Sequence, residues 1–97
     1  MAIVRINEFR ALADQVAALH AFLGSVIDLV AQAPGCQGCQ LLIDHEDPSR
    51  FLILETWASL AAHQAAAAQI PPAKLAEARA LLAEPPKGRY YDPVAAM

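Results

Sequence analysis

Residues 51–57 read FLILETW, and this stretch decides the fold. It is short, apolar and rich in residues that suit a pleated surface. Alternation along it places Phe51, Ile53, Glu55 and Trp57 on one face, and Leu52, Leu54 and Thr56 on the other. Both faces are apolar, so the strand is covered on at least one side and carries apolar surface on the second. DHEDPSR (44–50) precedes it, with Asp-Pro-Ser marking a turn. CQLLI (39–43) comes before that turn and reads as a second strand. Two strands around a short turn make an antiparallel hairpin.

Downstream of the hairpin, Ser59 is placed to cap a helix over LAAHQAAAAQ (60–69). Pro71 and Pro72 break it, and Pro72 can open the next helix, AKLAEARALLAE (73–84), with Leu75, Ala78 and Leu82 as its apolar stripe. Lys74 and Arg79 fall on its solvated side. Pro85 and Pro86 end it, and GRYYDPV (88–94) reads as a last strand.

Upstream, Leu12, Val16, Leu19, Leu23, Val26 and Val30 recur at steps of three and four and form the stripe of a long helix. Asp14 suits the positive end of that helix. Pro34-Gly35 stops it, because proline disfavours helix in the residue before it and glycine accepts positive φ. AIVRINEF (2–9) is a first strand, with Val4 and Ile6 on one parity and Ile3, Arg5 and Asn7 on the other.

The order is therefore β-α-β-β-α-(α)-β, with the last two helices as one broken crossover. That is the pattern of a ferredoxin-like α+β fold, an antiparallel sheet with helices on one face. Residues 1–97 are expected to form one domain. The chain is 57% hydrophobic and only 18% charged, a surplus of apolar side chains that a small core does not absorb. The sheet face carrying Val4, Ile6, Leu52 and Leu54 has no helix to cover it, so a homodimer is expected.

Net charge is -3 with no basic stripe, which argues against nucleic acid and against an anionic membrane surface. No run approaches a membrane span, and the N-terminus lacks the features of a secretory leader. A cytoplasmic protein with reduced thiols is expected. There is no phosphate-cradling glycine loop and no metal-ligand constellation, so neither cofactor nor metal is expected.

The two cysteines, Cys36 and Cys39, are spaced C-x-x-C but follow a helix instead of opening one, so no helix dipole favours a thiolate. No second cysteine pair completes a zinc site. Strand alternation places the two on opposite faces. They read as ordinary core or boundary residues, with a thiol redox sensor as a minor reading.

Several residues stand out as site candidates. Asn7 is polar within a strand and can donate to a substrate carbonyl or phenolate, or simply meet a turn. Trp57, the only tryptophan, can wall a pocket or pack in the core. Glu55 is a carboxylate in an apolar strand: a base if buried, or an ion-pair partner of Arg5 or Arg89. His63 is a pocket base or a surface histidine of the second helix. Phe51, Ile53, His20, Leu23 and one of Tyr90 or Tyr91, with Tyr90 preferred, would line the same pocket. DHED (44–47) reads as a solvated charge cluster.

Taken as an ordered set, Pro34-Gly35, Leu41-Leu42, Asp47-Pro48, Phe51 to Leu54, Glu55-Thr56-Trp57, Ser59 and Ala62-His63 resemble the antibiotic biosynthesis monooxygenase family, with Asn7 and RYYDPV adding to the likeness. The resemblance implies a dimeric α+β barrel with a pocket between sheet and helices. It implies a cofactor-independent oxygenase of small aromatics, anthrone-, quinol- or phenol-like; haem-degrading members also belong to the family. Several active relatives carry a histidine where Ala66 stands here. Bare alanine after His63 therefore suits an alternative, a non-catalytic dimeric ligand-binding or assembly module.

Overall fold

The structure is a computed structural model and describes residues 2–96. Its elements run β1 (Ile3–Arg10), α1 (Val16–Ala31), β2 (Cys36–Ile43), β3 (Arg50–Trp57), α2 (Leu60–Ala67), α3 (Pro72–Leu81) and β4 (Lys87–Tyr91). The four strands form one antiparallel sheet in the order β2-β3-β1-β4. This is the ferredoxin-like α+β arrangement, with β1 and β3 central and β2 and β4 at the edges.

Register fixes the faces. Ile3, Arg5, Asn7 and Phe9 pair with Trp57, Glu55, Ile53 and Phe51. That parity faces the helices, where Leu19, Phe22 and Leu23 of α1 join Phe51, Ile53, Ala11 and Leu82 in the core. The opposite parity carries Val4, Ile6, Leu52 and Leu54, all half-buried, with Leu42 and Tyr91 exposed beside them. No helix of the described residues is long and apolar enough to cross a membrane.

Gly35 is the one residue with positive φ among those described, at 87°. It turns the chain from α1 into β2, and its carbonyl accepts the backbone N–H of Ala58 at 2.8 Å. An added Cβ there would come within 2.7 Å of the Ala62 methyl. The bare glycine lets α2 lie against this turn. Ser59 caps α2, its hydroxyl accepting the Ala62 N–H at 3.1 Å.

Several local expectations are corrected. Leu12 does not join the α1 stripe, because the helix starts at Val16; Leu12 lies in the preceding turn, partly exposed. Asp14 also precedes the helix, whose N-cap is Gln15, with no acidic residue in its first turn. Leu82 lies beyond the end of α3 and pairs with Ala11 in a short bridge, so it reaches the core from an extended segment. Lys74 lies over the Phe22 ring, 5.5 Å from its centroid, instead of standing in solvent.

The cysteines need the largest correction. β2 begins at Cys36, three residues earlier than its apolar pattern suggests. Its register slips at Gln37: Cys36 pairs with Trp57, Gly38 with Thr56 and Cys39 with Glu55. One extra residue in the strand restores the parity. Cys36 and Cys39 thus share the helix-side face instead of opposing each other.

Candidate active site

On the helix side of the sheet, near the Trp57 end of β3, five of the residues singled out by sequence come together. Glu55, Trp57 and His63 are all buried. The Trp57 indole N–H donates to Glu55 Oε1 at 2.8 Å. The Asn7 side-chain amide donates to Glu55 Oε2 at 3.4 Å. His63 Nε2 stands 3.9 Å from Glu55 Oε1. On the other side of the imidazole, Nδ1 lies 2.6 Å from the Tyr90 hydroxyl. The His63 ring meets Trp57 and Tyr90 edge-on, with centroids 5.4 and 5.2 Å away.

Four elements position the five members. Glu55 and Trp57 come from central strand β3, Asn7 from β1, Tyr90 from edge strand β4, and His63 from α2, of which it is the only buried residue. Apart from Leu60 and Gln64, which are exposed, the rest of α2 is alanine, and one imidazole projects onto the sheet.

Arg5 is the residue whose role the sequence reading missed. It is paired with Glu55 on one side and Tyr90 on the other. Instead of an ion pair with Glu55, its guanidinium lies over the Tyr90 ring, 4.5 Å from the centroid. Its Nε is buried and has no hydrogen-bond partner among the described residues. Gly88, across from Asn7, makes the room: a Cβ there would collide with the Arg5 guanidinium and the Asn7 carbonyl oxygen. The shared parity of Arg5 and Asn7 was the available signal. Arg89, the other expected partner of Glu55, pairs with Ile6 and so belongs to the opposite face.

The electrostatics follow from burial. Loss of solvent pushes the Glu55 carboxyl up, while the Trp57 hydrogen bond, the Arg5 charge and the Asn7 hydrogen bond oppose that rise. Burial pushes the His63 imidazolium pKa down, and Arg5 adds to the effect. At neutral pH the ring is therefore an uncharged proton acceptor. Facing Glu55 with Nε2–H, it accepts the Tyr90 O–H at Nδ1. The arrangement can take a proton from a weak acid and hold the resulting anion near Arg5 and Asn7.

The remaining candidates lie apart. Phe51, Ile53 and Leu23 belong to the apolar core. His20 is on the exposed flank of α1, its ring 5.9 Å from that of Phe51. A concavity of about 510 Å³ lies toward the hairpin end, among Glu8, Phe9, Leu42, Phe51, Leu52 and Lys87, and shares only Phe51 with the expected site. It is lined largely by the uncovered sheet face, with none of its lining residues a buried titratable group. In the DHED turn, Asp44 accepts the backbone N–H groups of Glu46 and Asp47, and Asp47 accepts from Ser49 and Arg50. Those carboxylates organise the turn.

The model of the family described as antibiotic biosynthesis monooxygenase matches residues 2–69. The chain belongs to this family. Solved structures agree with that assignment. A protein of unknown function from Nitrosomonas europaea is 29% identical, with a TM-score of 0.81, covering 99% of this chain and 92% of its own. A candidate antibiotic biosynthesis monooxygenase from Chloroflexus aurantiacus is 27% identical, with a TM-score of 0.79, covering 100% and 97%. SnoaB, a cofactor-independent oxygenase from Streptomyces nogalater, is 19% identical with a TM-score of 0.83, covering 99% and 96%, and shares the fold. No curated protein matches the chain by sequence.

Proposed function

We propose that this family member is a cofactor-independent oxygenase of a small aromatic whose C–H or O–H is weakly acidic, such as an anthrone or a hydroquinone. The observation that carries this reading is the buried Glu55 carboxylate, held by Trp57 and Asn7 beside a His63 kept neutral by burial. The flat ring would enter past Tyr90 and Arg5, where the helix layer leaves β4 exposed. The substrate gives its proton to the Tyr90 hydroxyl oxygen as Tyr90 passes its own proton to His63 Nδ1, with Glu55 beside the Nε2–H. Arg5 and Asn7 steady the carbanion or phenolate.

The anion then reduces oxygen itself. For an anthrone, one electron passes to O2, the radical pair forms a C–O bond, and the peroxide loses water. The CH2 group and O2 become a carbonyl and water, with every electron supplied by the substrate. Such chemistry needs a site that excludes water and orients the ring, for which the buried Trp57 is suited.

The active form in this reading is a homodimer joined through the sheet face of Val4, Ile6, Leu52 and Leu54, making the α+β barrel. Leu54→Glu, on that face, should shift light scattering from dimer to monomer; wild type running as a monomer at micromolar concentration would count against the barrel.

A ligand-binding module without turnover is the second reading. It draws support from the Glu55 oxygens, both already engaged within the chain. Oxygen uptake with anthrones, hydroquinones and catechols, without added metal or flavin, separates the two. Uptake that falls in Asn7→Ala supports the oxygenase. Tight binding seen by Trp57 fluorescence with no enzyme-dependent uptake supports the module.

A further inference from the structure

We propose that Cys36 and Cys39 are a modification site: a dithiol that closes to a reversible intrachain disulfide under a two-electron oxidant such as hydrogen peroxide. The argument begins with the slip at Gln37. In a regular strand, residues three apart point to opposite faces and stand about 10 Å apart. Here the cross-strand partners of the two cysteines are Trp57 and Glu55, only two residues apart on β3. Two residues of strand span about 6.7 Å, at the upper end of the Cα separations a disulfide bridges. The bulge therefore brings the pair to one face and within reach.

The Cys36 thiol also lies along its own strand. Cys36 Sγ donates to the Gly38 carbonyl at 3.6 Å, so the side chain folds along the strand toward Cys39 instead of away. Side chains on one face of a strand run parallel, so bringing the two Cβ atoms to the roughly 3.5–4.5 Å of a disulfide needs backbone movement, and β2 supplies it. The strand is at the sheet edge, paired only with β3. Gly38 lies between the cysteines, and a Cβ there would meet nothing within 4 Å.

The pair divides the work unequally. Cys39 is pushed up to about 12 by burial, then by Glu55 and Cys36. Burial works against a thiolate at Cys39, and Cys36, whose sulfur makes an exposed hydrogen bond, meets the oxidant first. Its thiolate attacks the peroxide, giving a sulfenic acid and hydroxide. The Cys39 thiol then displaces water from that sulfenic acid and forms the S–S bond. Peroxide is the oxidant, and the thiols lose two electrons and two protons in all. The new bond lies opposite Trp57 and Glu55, so the indole reports on it.

The test is intact-mass analysis of the full-length reduced chain after brief treatment with hydrogen peroxide, followed by iodoacetamide. The readout requires no turnover, so its outcome is separate from the oxygenase reading. The expected product is a monomer lacking two hydrogens. It takes up no iodoacetamide, shows changed Trp57 emission, and regains two alkylatable thiols on reduction. Cys39→Ser should stop at a sulfenic acid trapped by dimedone on Cys36, and Cys36→Ser should resist the same dose. A wild-type product that keeps both thiols alkylatable, that carries only added oxygen, or that is cross-linked between chains would overturn the proposal.

Discussion

The indole of Trp57 donates to the carboxylate of Glu55 at 2.8 Å although both side chains project from the same face of one strand, two residues apart. A tryptophan that satisfies a buried carboxylate from its own strand leaves the second oxygen to Asn7 and the flank to His63. The polar cluster is thus assembled around Glu55, and a substitution there tests the arrangement most directly. Glu55→Gln keeps an acceptor for the indole and removes the charge. Oxygen uptake should fall by about 100-fold or more, the size expected when a positioned proton acceptor loses its partner, while the thermal midpoint at pH 7 is held or raised. Unchanged uptake would remove Glu55 from the chemistry.

The same cluster gives stability a pH dependence of worked sign. The folded-state pKa of Glu55 is raised, so its contribution is fully present below the ordinary value of 4.5 and is lost as pH climbs through the raised value. The folded-state pKa of His63 is lowered, so its contribution is present above 6.5 and is lost as pH falls through the lowered value. Urea titrations across about pH 4 to 8 should show Glu55→Gln abolishing the decline on the alkaline side and His63→Gln abolishing the decline on the acid side. A mutant profile parallel to wild type would count against the corresponding assignment.

Gly88→Ala separates the site from the fold. The added methyl meets the far end of the Arg5 side chain and the side-chain oxygen of Asn7, not backbone. Stability should change by under about 1 kcal/mol, whereas affinity for a phenolic ligand, read by Trp57 fluorescence, should drop several-fold. Arg5→Met should reproduce the binding loss. Retention of full affinity in both variants would exclude Arg5 from ligand binding.

Gly35→Ala addresses the fold alone. Its φ of 87° and the 2.7 Å approach to the Ala62 methyl both oppose a side chain. A loss of about 1–3 kcal/mol in chemical denaturation is expected, with weaker docking of α2 as the cause. Ala62→Gly in the same chain should restore part of it by removing the contact, while the backbone strain stays.

Leu19 is fully buried beneath the sheet, and Leu19→Ala should cost about 2–5 kcal/mol through the lost side chain and the cavity left behind. Leu12→Ala, at a position with the same apparent periodicity but outside the helix, should cost under about 1 kcal/mol. Equal effects would place Leu12 in the core after all.

The amino-acid sequence by itself determined the order of elements, the hairpin, and the two faces of β1 and β3, because period-two alternation and turn residues are local properties of each segment. It also determined which residue types make the site: Asn7, Glu55, Trp57, His63 and Tyr90 are all conspicuous in their surroundings. Tertiary structure decided which of them meet. Nothing along the alanine-rich α2 marks a preferred side, so the burial of His63 follows only from how the helix docks at Gly35. The common face of Cys36 and Cys39 follows from an extra residue that appears when β2 pairs with β3, and a bulge of that kind belongs to the pair of strands and not to either one. Leu12 and Leu82 continue the helical periodicity past the helix ends, yet backbone pairing between distant segments, at Leu12 with Leu81 and at Leu82 with Ala11, holds both outside the helices. Long-range hydrogen bonds settle such boundaries, and a local pattern does not contain them.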